Sequence, residues 1–387
     1  FDALDNNVIR LEFSSDNDLH NLKGAFLNGY EWQVGDDKYG NKETTLIIDN
    51  SQTYGPYSNL INSDYTAGLD NGNGQIPISG INVYYSDGSH NWDSSSWRDQ
   101  DGNTSVGPPG ESDVAVIEAG DVITMAADNA LASQVEINGT LKVDHGTTGH
   151  TIDIIKGNGR LIYENNYDYW KDYIHINGDH SEFCNNSASI IEYTSTTGSG
   201  PHIIPDDANV PSYPNLVVSE KTGATQTTSS MDLIVNGDLT VESGTFFLDG
   251  DYDEFVSVGG EVIVNAGTLT YESTGIRYMD LGGDITFTGN GTFNASGGTE
   301  NFLYLKGNID LGDSGNLDFA SGNLSVYFQG DAHSFYSSEK NVASFYRAIV
   351  AKSTGLKVDF TSDFTLSSPT NGATKALELT SGECHLN

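Results

Sequence analysis

The stretch FFLDGDYDEF, residues 246–255, concentrates acidic side chains among strand-forming residues. Asp249, Asp251 and Asp253 alternate along it, and Glu254 follows directly. Hard cations such as Ca²⁺ bind several carboxylate and carbonyl oxygens, so the three aspartates predict a calcium site. The stretch does not match the EF-hand pattern, because its sixth position is Glu254 where an EF-hand has glycine. The alternative is a solvated acidic turn that binds no metal.

A second acidic set becomes visible only when the chain is aligned on its own repeats. Asp238, Glu261 and Asp284 each follow a glycine at the same repeat position. Stacked repeats would place these carboxylates roughly 5 Å apart, which is repulsive unless they point into water or share a cation. A cation ladder and a set of splayed carboxylates are therefore the two interpretations.

An aromatic cluster interrupts the regular pattern in YENNYDYWKDYIHING, residues 163–178. Beside Tyr163 and His175, the stretch contains the four rings that could stack on sugars: Tyr167, Tyr169, Trp170 and Tyr173. On an extended loop such rings can stack on sugars, which predicts a carbohydrate-binding site. The alternative is a local hydrophobic lid over the neighbouring core.

The sequence gives less support for a catalytic site than for the binding sites above. A polysaccharide lyase needs a basic side chain beside carboxylates or calcium, and Arg277, Lys306 and Asp280 are the nearest approach to that set. Cys184 and Cys384 are 200 positions apart without a CxxC or Cys/His motif, which disfavours zinc or a disulfide scaffold. We assign no catalytic residue, although a glycosidase carboxylate pair remains an alternative among 54 acidic residues.

The elements that would position these residues are set by an internal repeat. Gly237, Gly260, Gly283 and Gly307 recur every 23 or 24 positions. A second glycine series keeps the same register, at Gly244, Gly267, Gly291 and Gly315. A fixed period of this length is typical of solenoid proteins.

Apolar residues repeat in the same register, in pairs of columns spaced by two residues, as one face of a β-strand requires. Three short strands per coil follow, and stacking the coils buries one continuous apolar ladder. We therefore predict an all-β parallel β-helix, right-handed by the general crossover preference. The alternative is an antiparallel sandwich. The six columns are Leu233, Val256, Met279, Leu303; Val235, Val258, Leu281, Leu305; Leu239, Val262, Ile285, Ile309; Val241, Val264, Phe287, Leu311; Phe246, Leu269, Phe293, Leu317; and Leu248, Tyr271, Ala295, Phe319.

A longer repeat encloses the short one. YPNLVVSEKTG (residues 213–223) resembles FYRAIVAKSTG (residues 345–355), and a Ser-Gly pair follows each segment. The second copy stops where the first continues into regular coils, which predicts a solenoid truncated at its C-terminus.

The sequence divides into three predicted parts. Residues 1–83 alternate without the 23-residue period and predict a small β-sandwich-like module. Residues 84–112 are turn-rich, contain Trp92 and Trp97, and predict a linker or cap over the solenoid end. Residues 113–387 are the predicted β-helix.

The net charge and the hydropathy of the sequence argue against two kinds of partner, nucleic acid and the membrane interior. Acidic residues outnumber basic ones 54 to 17, for a net charge of −37, so nucleic acid would be repelled. No apolar run is long enough for a membrane span, which predicts no membrane insertion. Charge spread along the whole chain suits an extracellular surface protein.

Several segments resemble one protein family, the large secreted surface proteins of Bacteroidota, such as gliding-motility adhesins and other type IX secretion cargo. The resemblance rests on YTAGLDNGNGQIPISGINVYYSDGSHNWDSSSW, SDVAVIEAGDVITM, INGTLKV, YPNLVVSEKTG and VNGDLTVESGTF, within residues 65–387. It implies a long stalk that adheres to surfaces or polysaccharides.

The expected function is a non-catalytic adhesion or structural stalk segment at the cell surface, with many weak contacts to surface polysaccharide or substratum. Other cell-surface components and self-association are further expected partners, and Ca²⁺ is the only cofactor considered. The alternative is a β-helical carbohydrate-active enzyme or a carbohydrate-binding module.

Overall fold

The computed structural model is almost entirely β-structure. It describes the backbone of residues 2–5, 8–12, 30–34 and 43–48, and then the chain from residue 82 to residue 387 with short gaps. The gaps are 145–146, 165–175, 196–200, 204–209, 211, 221–224, 228–232, 249–254, 274–277, 298–300 and 368–375.

The N-terminal strands form one antiparallel sheet in the order β1-β2-β4-β3. They are β1 (Asp2–Asp5), β2 (Val8–Glu12), β3 (Tyr30–Val34) and β4 (Glu43–Ile48). The described residues of this module form one sheet, and the sandwich-like arrangement stays a prediction.

The rest of the described chain winds into stacked coils. Its first part contains β5 (Val83–Ser86), β6 (His90–Asn91), β7 (Trp97–Asp99), β8 (Thr104–Val106), β9 (Val114–Ile117), β10 (Val122–Met125), β11 (Leu131–Ile137), β12 (Thr140–Val143), β13 (Thr151–Gly157), β14 (Arg160–Glu164), β15 (Asn177–Asp179), helix α1 (Ser181–Cys184), β16 (Ile190–Ser195) and β17 (Pro201–Ile203).

The second part is more regular and has shorter connections. It contains β18 (Leu216–Glu220), β19 (Thr225–Thr227), β20 (Leu233–Val235), β21 (Leu239–Ser243), β22 (Thr245–Leu248), β23 (Phe255–Val258), β24 (Val262–Val264), β25 (Thr268–Ser273), β26 (Tyr278–Leu281), β27 (Ile285–Phe287), β28 (Thr292–Gly297), β29 (Asn301–Leu305), β30 (Ile309–Asp310), β31 (Asn316–Asp318), β32 (Leu324–Phe328), β33 (Ser334–Ser337), β34 (Ala343–Phe345), β35 (Arg347–Ala351), β36 (Lys357–Phe360), β37 (Phe364–Leu366), β38 (Leu377–Ser381) and β39 (Glu383–Leu386).

These strands assemble into sheets that run along the solenoid, in which each coil contributes one strand to each sheet it reaches. The long sheet has 13 strands: β6, β10, β12, β14, β16, β18, β21, β24, β27, β30, β33, β36 and β39. The front sheet is β20, β23, β26, β29, β32, β35 and β38, and the side sheet is β17, β19, β22, β25, β28, β31, β34 and β37. The upstream sheet, in the order β15-β13-β11-β9-β5-β7-β8, accompanies the first coils.

The register of the coils confirms the predicted parallel β-helix. Leu233 pairs with Val256, Val256 with Met279, and Met279 with Leu303 along the front sheet. The columns predicted for the long and side sheets pair in the same way, coil by coil. Nearly all of their side chains are less than 5% exposed, so they form the interior of the solenoid. Each fully buried aliphatic or aromatic side chain contributes about 1.5–3 kcal/mol to folding.

The corner between the front and long sheets explains the first glycine series. A Cβ on Gly283 would lie 2.4 Å from the carbonyl oxygen of Gly260 in the preceding coil. A Cβ on Gly307 would lie 2.3 Å from the carbonyl oxygen of Gly283. Neighbouring backbones approach too closely here for any side chain, so the repeat spacing of these glycines follows from the stacking of the coils.

Parallel pairing extends further upstream than residue 113, where the predicted β-helix begins. Strands β5 and β6 pair in parallel with β9 and β10, and β7 adds to β5 as an antiparallel neighbour. Trp92 and Trp97 are buried beneath this segment with ring centroids 5.3 Å apart. The Trp97 indole Nε1 donates a hydrogen bond to the Trp92 carbonyl oxygen at 2.9 Å. The turn-rich segment therefore both contributes strands and buries two large rings.

The longer sequence repeat does not mark equivalent positions. Strand β18, from the first copy, lies in the long sheet, whereas β35, from the second copy, lies in the front sheet. Gly244 and Gly382 follow the two copies with φ of 75° and 81°, so both copies reach the same kind of turn. A strand followed by a Ser-Gly turn recurs at more than one corner of the coil, and this local pattern does not specify which corner. The equivalence read from the sequence is therefore wrong.

Candidate functional site

The predicted cation ladder lies at the corner where the chain passes from the front sheet to the long sheet. Asp238, Glu261 and Asp284 occupy this corner in three successive coils, and each is partly buried. The Asp238 carboxylate accepts a hydrogen bond from the backbone N–H of Glu261 at 2.7 Å. The Asp284 carboxylate accepts one from the backbone N–H of Asn308 at 2.8 Å.

Asparagines continue the same arrangement on both sides. Asn215 Oδ1 accepts from the N–H of Asp238 at 2.9 Å, and Asn308 Oδ1 accepts from the N–H of Phe335 at 3.0 Å. The Asn308 side-chain amide also donates to both oxygens of Asp284, at 3.0 and 3.1 Å. We call this set the corner ladder: a side-chain oxygen of one coil accepts the backbone N–H of the next coil.

The corner ladder gives the carboxylates of Asp238 and Asp284 partners other than a metal ion. Hydrogen bonds from backbone N–H groups and an amide offset the like-charge repulsion that motivated the cation prediction. Among the described residues, no group of three or more His, Cys, Asp or Glu side chains is placed to hold a metal ion. Cation bridging by Asp238, Glu261 and Asp284 stays a prediction.

The other predicted site residues lie outside the described part of the chain. This applies to Asp249, Asp251 and Asp253, the predicted calcium ligands. It applies equally to the predicted sugar-stacking residues, Tyr167, Tyr169, Trp170 and Tyr173. Both predictions stand as the sequence made them.

The structure adds a site that the sequence reading missed, on the outward face of the front sheet. Inward positions of its strands are the buried ladder residues, so the alternate positions point away from the core. Five of the outward positions in β23, β26, β29 and β32 are aromatic. We call them the aromatic strip: Phe255, Tyr278, Phe302, Tyr304 and Tyr327.

The rings of the aromatic strip contact one another from coil to coil. Tyr278 stacks on Phe302 with centroids 5.6 Å apart and on Tyr304 at 6.1 Å, with interplanar angles of 18° and 12°. Tyr304 and Tyr327 are 5.1 Å apart with their planes tilted by 39°. Tyr278 is nevertheless 45% exposed and Phe255 38% exposed. Phe302, Tyr304 and Tyr327 are half-buried, so the strip is an outward aromatic surface that is most exposed at Phe255 and Tyr278.

Two ion pairs border the aromatic strip. Lys306 Nζ lies 3.2 Å from the Asp280 carboxylate, and Asp280 pairs with Tyr304 across the sheet. Beyond Tyr327, the Arg347 guanidinium binds the Glu378 carboxylate. Among the described residues beside the strip, Lys306 and Arg347 thus each have a carboxylate partner.

The packing of the strip affects its hydroxyl groups. Desolvation by the surrounding rings raises the pKa of the Tyr304 phenol, and the neighbouring Tyr327 and Tyr278 raise it further. Tyr304 therefore stays protonated at neutral pH and can donate a hydrogen bond to a ligand oxygen.

The signal for this site was present in the predicted alignment. Phe255, Tyr278 and Phe302 directly precede the first apolar column of their coils, which places them in one outward column. The outward columns of the same alignment therefore carry the signal for the strip.

A buried histidine lies in the upstream coils. His150 is fully buried; its Nδ1 accepts the backbone N–H of Ala130 at 3.3 Å, and its Nε2 is 2.9 Å from Thr147 Oγ1. Burial lowers the pKa of His150, and the Asp128 carboxylate opposes that shift. The ring is neutral with its proton on Nε2, so its role here is structural.

Comparison with known proteins gave no match: no family model fits the sequence, and no curated protein or solved structure matches it. In the part of the chain that the structure describes, no helix has the length and apolar character needed to cross a lipid bilayer. Arguments about function therefore start from the solenoid and the surfaces it displays.

Proposed function

We propose that the protein is a non-catalytic β-solenoid that binds polysaccharide through the aromatic strip. The observation that carries this proposal is the row of five outward rings across four successive coils, with Tyr278 45% exposed. Contiguous exposed aromatic surface on a soluble protein commonly marks a binding site. Aromatic rings pack against the apolar faces of sugar rings, and tyrosine hydroxyls can bond to sugar hydroxyls.

The solenoid supports this function mechanically. Stacked coils form a stiff rod whose sheet faces extend along its length. Weak contacts repeated along such a face add to a useful avidity without a deep pocket. A role as an adhesion or structural stalk segment at the cell surface is part of the proposal, supported by the resemblance to large secreted surface proteins and by the net charge of −37. Antibody labelling of intact, unpermeabilised cells tests that location, and labelling only after lysis would contradict it.

Binding is tested with the purified chain and a panel of insoluble polysaccharides. The double variant Tyr278→Ala/Tyr304→Ala should lose at least about tenfold in affinity, because it removes the two central rings of the strip. The matched control is Ile263→Ala/Thr286→Ala, which changes outward positions of the long sheet in the neighbouring coils. Melting curves confirm that both variants are folded. No binding by the wild-type chain, or equal binding by the two variants, would overturn the proposal.

A carbohydrate-active enzyme is the second candidate, and one contact favours it. Lys306 and Asp280 form an ion pair next to the aromatic strip, and both belong to the residue set that the lyase interpretation requires. Incubation with the same polysaccharides, followed by measurement of released reducing ends, decides between the candidates. Cleavage that disappears in Lys306→Ala would establish an enzyme and overturn the non-catalytic proposal.

A further inference from the structure

We propose that the ligand of the aromatic strip is an uncharged polysaccharide whose chain lies along the solenoid axis, with successive sugars on successive coils. This inference rests on the proposed function and specifies it. It concerns two properties of the ligand, its direction on the protein and its charge, and each follows from a separate observation.

The direction follows from the shape of the aromatic strip. Adjacent strands of a sheet are about 4.8 Å apart, so four coils carry the strip over about 14 Å along the axis. Across the axis the strip is narrower, because only β29 contributes two rings, Phe302 and Tyr304, which are about 7 Å apart along the strand. A sugar chain along the axis meets rings from four coils, whereas a chain along a strand meets two.

The ring contacts support the same direction. Ring centroids in neighbouring coils are separated by 5.1 to 6.1 Å, at Tyr278–Phe302, Tyr278–Tyr304 and Tyr304–Tyr327. This is close to the size of a single sugar ring, so consecutive sugars of an extended chain can each contact a ring of their own. Along the solenoid axis, the rings of the strip thus repeat at about the spacing of the sugars in an extended polysaccharide chain.

The charge of the ligand follows from the borders of the strip. Lys306 and Arg347 are the basic side chains beside it in the described part of the chain, and each is already bound to a carboxylate. Among these described side chains, an acidic polysaccharide gains an ionic contact only by displacing Asp280 or Glu378. It would also enter the field of a protein with a net charge of −37.

A neutral polysaccharide neither displaces these carboxylates nor is repelled by the negative charge of the protein. It needs apolar contact and hydrogen bonds, which the rings and the tyrosine hydroxyls can provide. Its affinity should be nearly independent of ionic strength, because salt screens only charged interactions.

The charge is tested by titrating the full chain with soluble polysaccharides of three kinds: a neutral β-glucan, the acidic polygalacturonate and the cationic chitosan, each at low and at high salt. We expect the neutral chain to bind with an affinity that changes by less than about twofold between the two salt concentrations. Tyr278→Ala should weaken this binding severalfold, and Tyr278→Ala/Tyr304→Ala should weaken it at least about tenfold. Preferred binding of polygalacturonate or chitosan, weakened by salt and lost in Tyr278→Ala, would overturn the inference while leaving the proposed function standing.

The direction is tested with oligosaccharides of increasing length from the neutral polymer. Phe255→Ala and Tyr327→Ala remove opposite ends of the strip, and Ile263→Ala is the control on the long sheet. We expect affinity to rise with oligosaccharide length until the strip is covered, and both end substitutions to weaken the long oligosaccharides. A ligand lying along β29 would be insensitive to both end substitutions, and that result would overturn the inference.

Failure of the proposed function gives a different pattern. If no polysaccharide binds, and sedimentation shows self-association that Tyr278→Ala abolishes, then the strip is a contact between copies of the chain. That outcome overturns the inference and the proposed function together.

Discussion

The front and long sheets of the same coils have equivalent interiors and different exteriors. Inward positions in both are buried aliphatic or aromatic residues, such as Leu281 in the front sheet and Ile285 in the long sheet. Outward, the front sheet carries the aromatic strip. The corresponding outward column of the long sheet is small, β-branched or polar: Thr240, Ile263, Thr286, Asp310 and Ser337.

This difference separates the requirements of folding from those of function. Any coil must fill its interior, so the inward columns vary little in character from sheet to sheet. Outward side chains are not constrained by the stacking of the coils, and an aromatic series there exposes apolar area to water without filling the core. Such a series on one sheet and not on its neighbour is the observation that supports the proposed binding by the front sheet.

The largest expected effect tests the equivalence of the two interiors. Leu281→Ala and Ile285→Ala each remove a fully buried side chain, and each should lower the free energy of unfolding by about 2–5 kcal/mol. Urea denaturation followed by circular dichroism measures the loss. The outward controls Tyr278→Ala and Thr286→Ala should cost less than about 1 kcal/mol. Comparable losses at inward and outward positions would contradict the comparison.

A smaller effect is expected at the corner that joins the two sheets. Gly283→Ala places a methyl group 2.4 Å from the Gly260 carbonyl oxygen, and the coils must separate locally. We expect a loss of about 1–3 kcal/mol in the free energy of unfolding, measured by the same denaturation. Gly107→Ala is the matched control, because a Cβ there has no atom within 4 Å. If Gly283→Ala were as stable as Gly107→Ala, the close approach of the coils would be refuted.

The corner ladder gives a still smaller effect. Asp284→Ala removes the acceptor of three hydrogen bonds from Asn308 and should cost about 1 kcal/mol. Asp284→Asn keeps an acceptor oxygen for the backbone N–H and reduces the negative charge of the corner, so it should be less destabilising than the alanine. A greater loss for the asparagine, together with a Ca²⁺-dependent rise in Tm of the wild type alone, would instead favour the cation ladder.

The smallest effect concerns pH and distinguishes the upstream coils from the regular ones. The pKa of His150 is lowered in the folded state, so below pH 6.5 the unfolded chain binds the proton more readily. Stability contributed by the neutral ring is complete above pH 6.5 and falls as the pH drops toward the folded-state pKa. His150→Gln should therefore reduce the drop in Tm between neutral and mildly acidic pH. The same pH dependence in wild type and variant would contradict the assignment.

The sequence predicted the regular coils because their spacing is constant. Leu281 and Leu305 lie in register with each other, as the alignment required, since constant spacing between the glycines leaves each strand a single way to stack. The upstream coils were predicted less well. Arg160 pairs with Ile190, 30 positions further along the chain, whereas Val262 pairs with Ile285 after 23 positions, so the period that reveals a solenoid is lost there.

The aromatic strip and the longer repeat show two features that the repeat pattern of the sequence does not predict. Alternation along a strand predicts which side chains face inward. It does not predict which of the three outward faces binds a ligand, so nothing in the alternation distinguishes Tyr278 and Phe302 from other outward residues. Conversely, the likeness of residues 213–223 to residues 345–355 is local, and β18 and β35 lie in different sheets. A strand-and-turn motif carries no information about the corner of the coil that it occupies.

The corner ladder makes one coil compatible with any other that carries an Asx residue at its position. Asp238, Asp284 and Asn308 each offer one oxygen toward the following coil and use it in the same way. A duplicated coil inserted here would donate its backbone N–H to the side-chain oxygen of the preceding coil. Its own side-chain oxygen would accept the backbone N–H of the following coil. Length is therefore a property that such a gene can change in whole-coil steps, by unequal recombination between repeats, without redesigning either neighbour of the inserted unit.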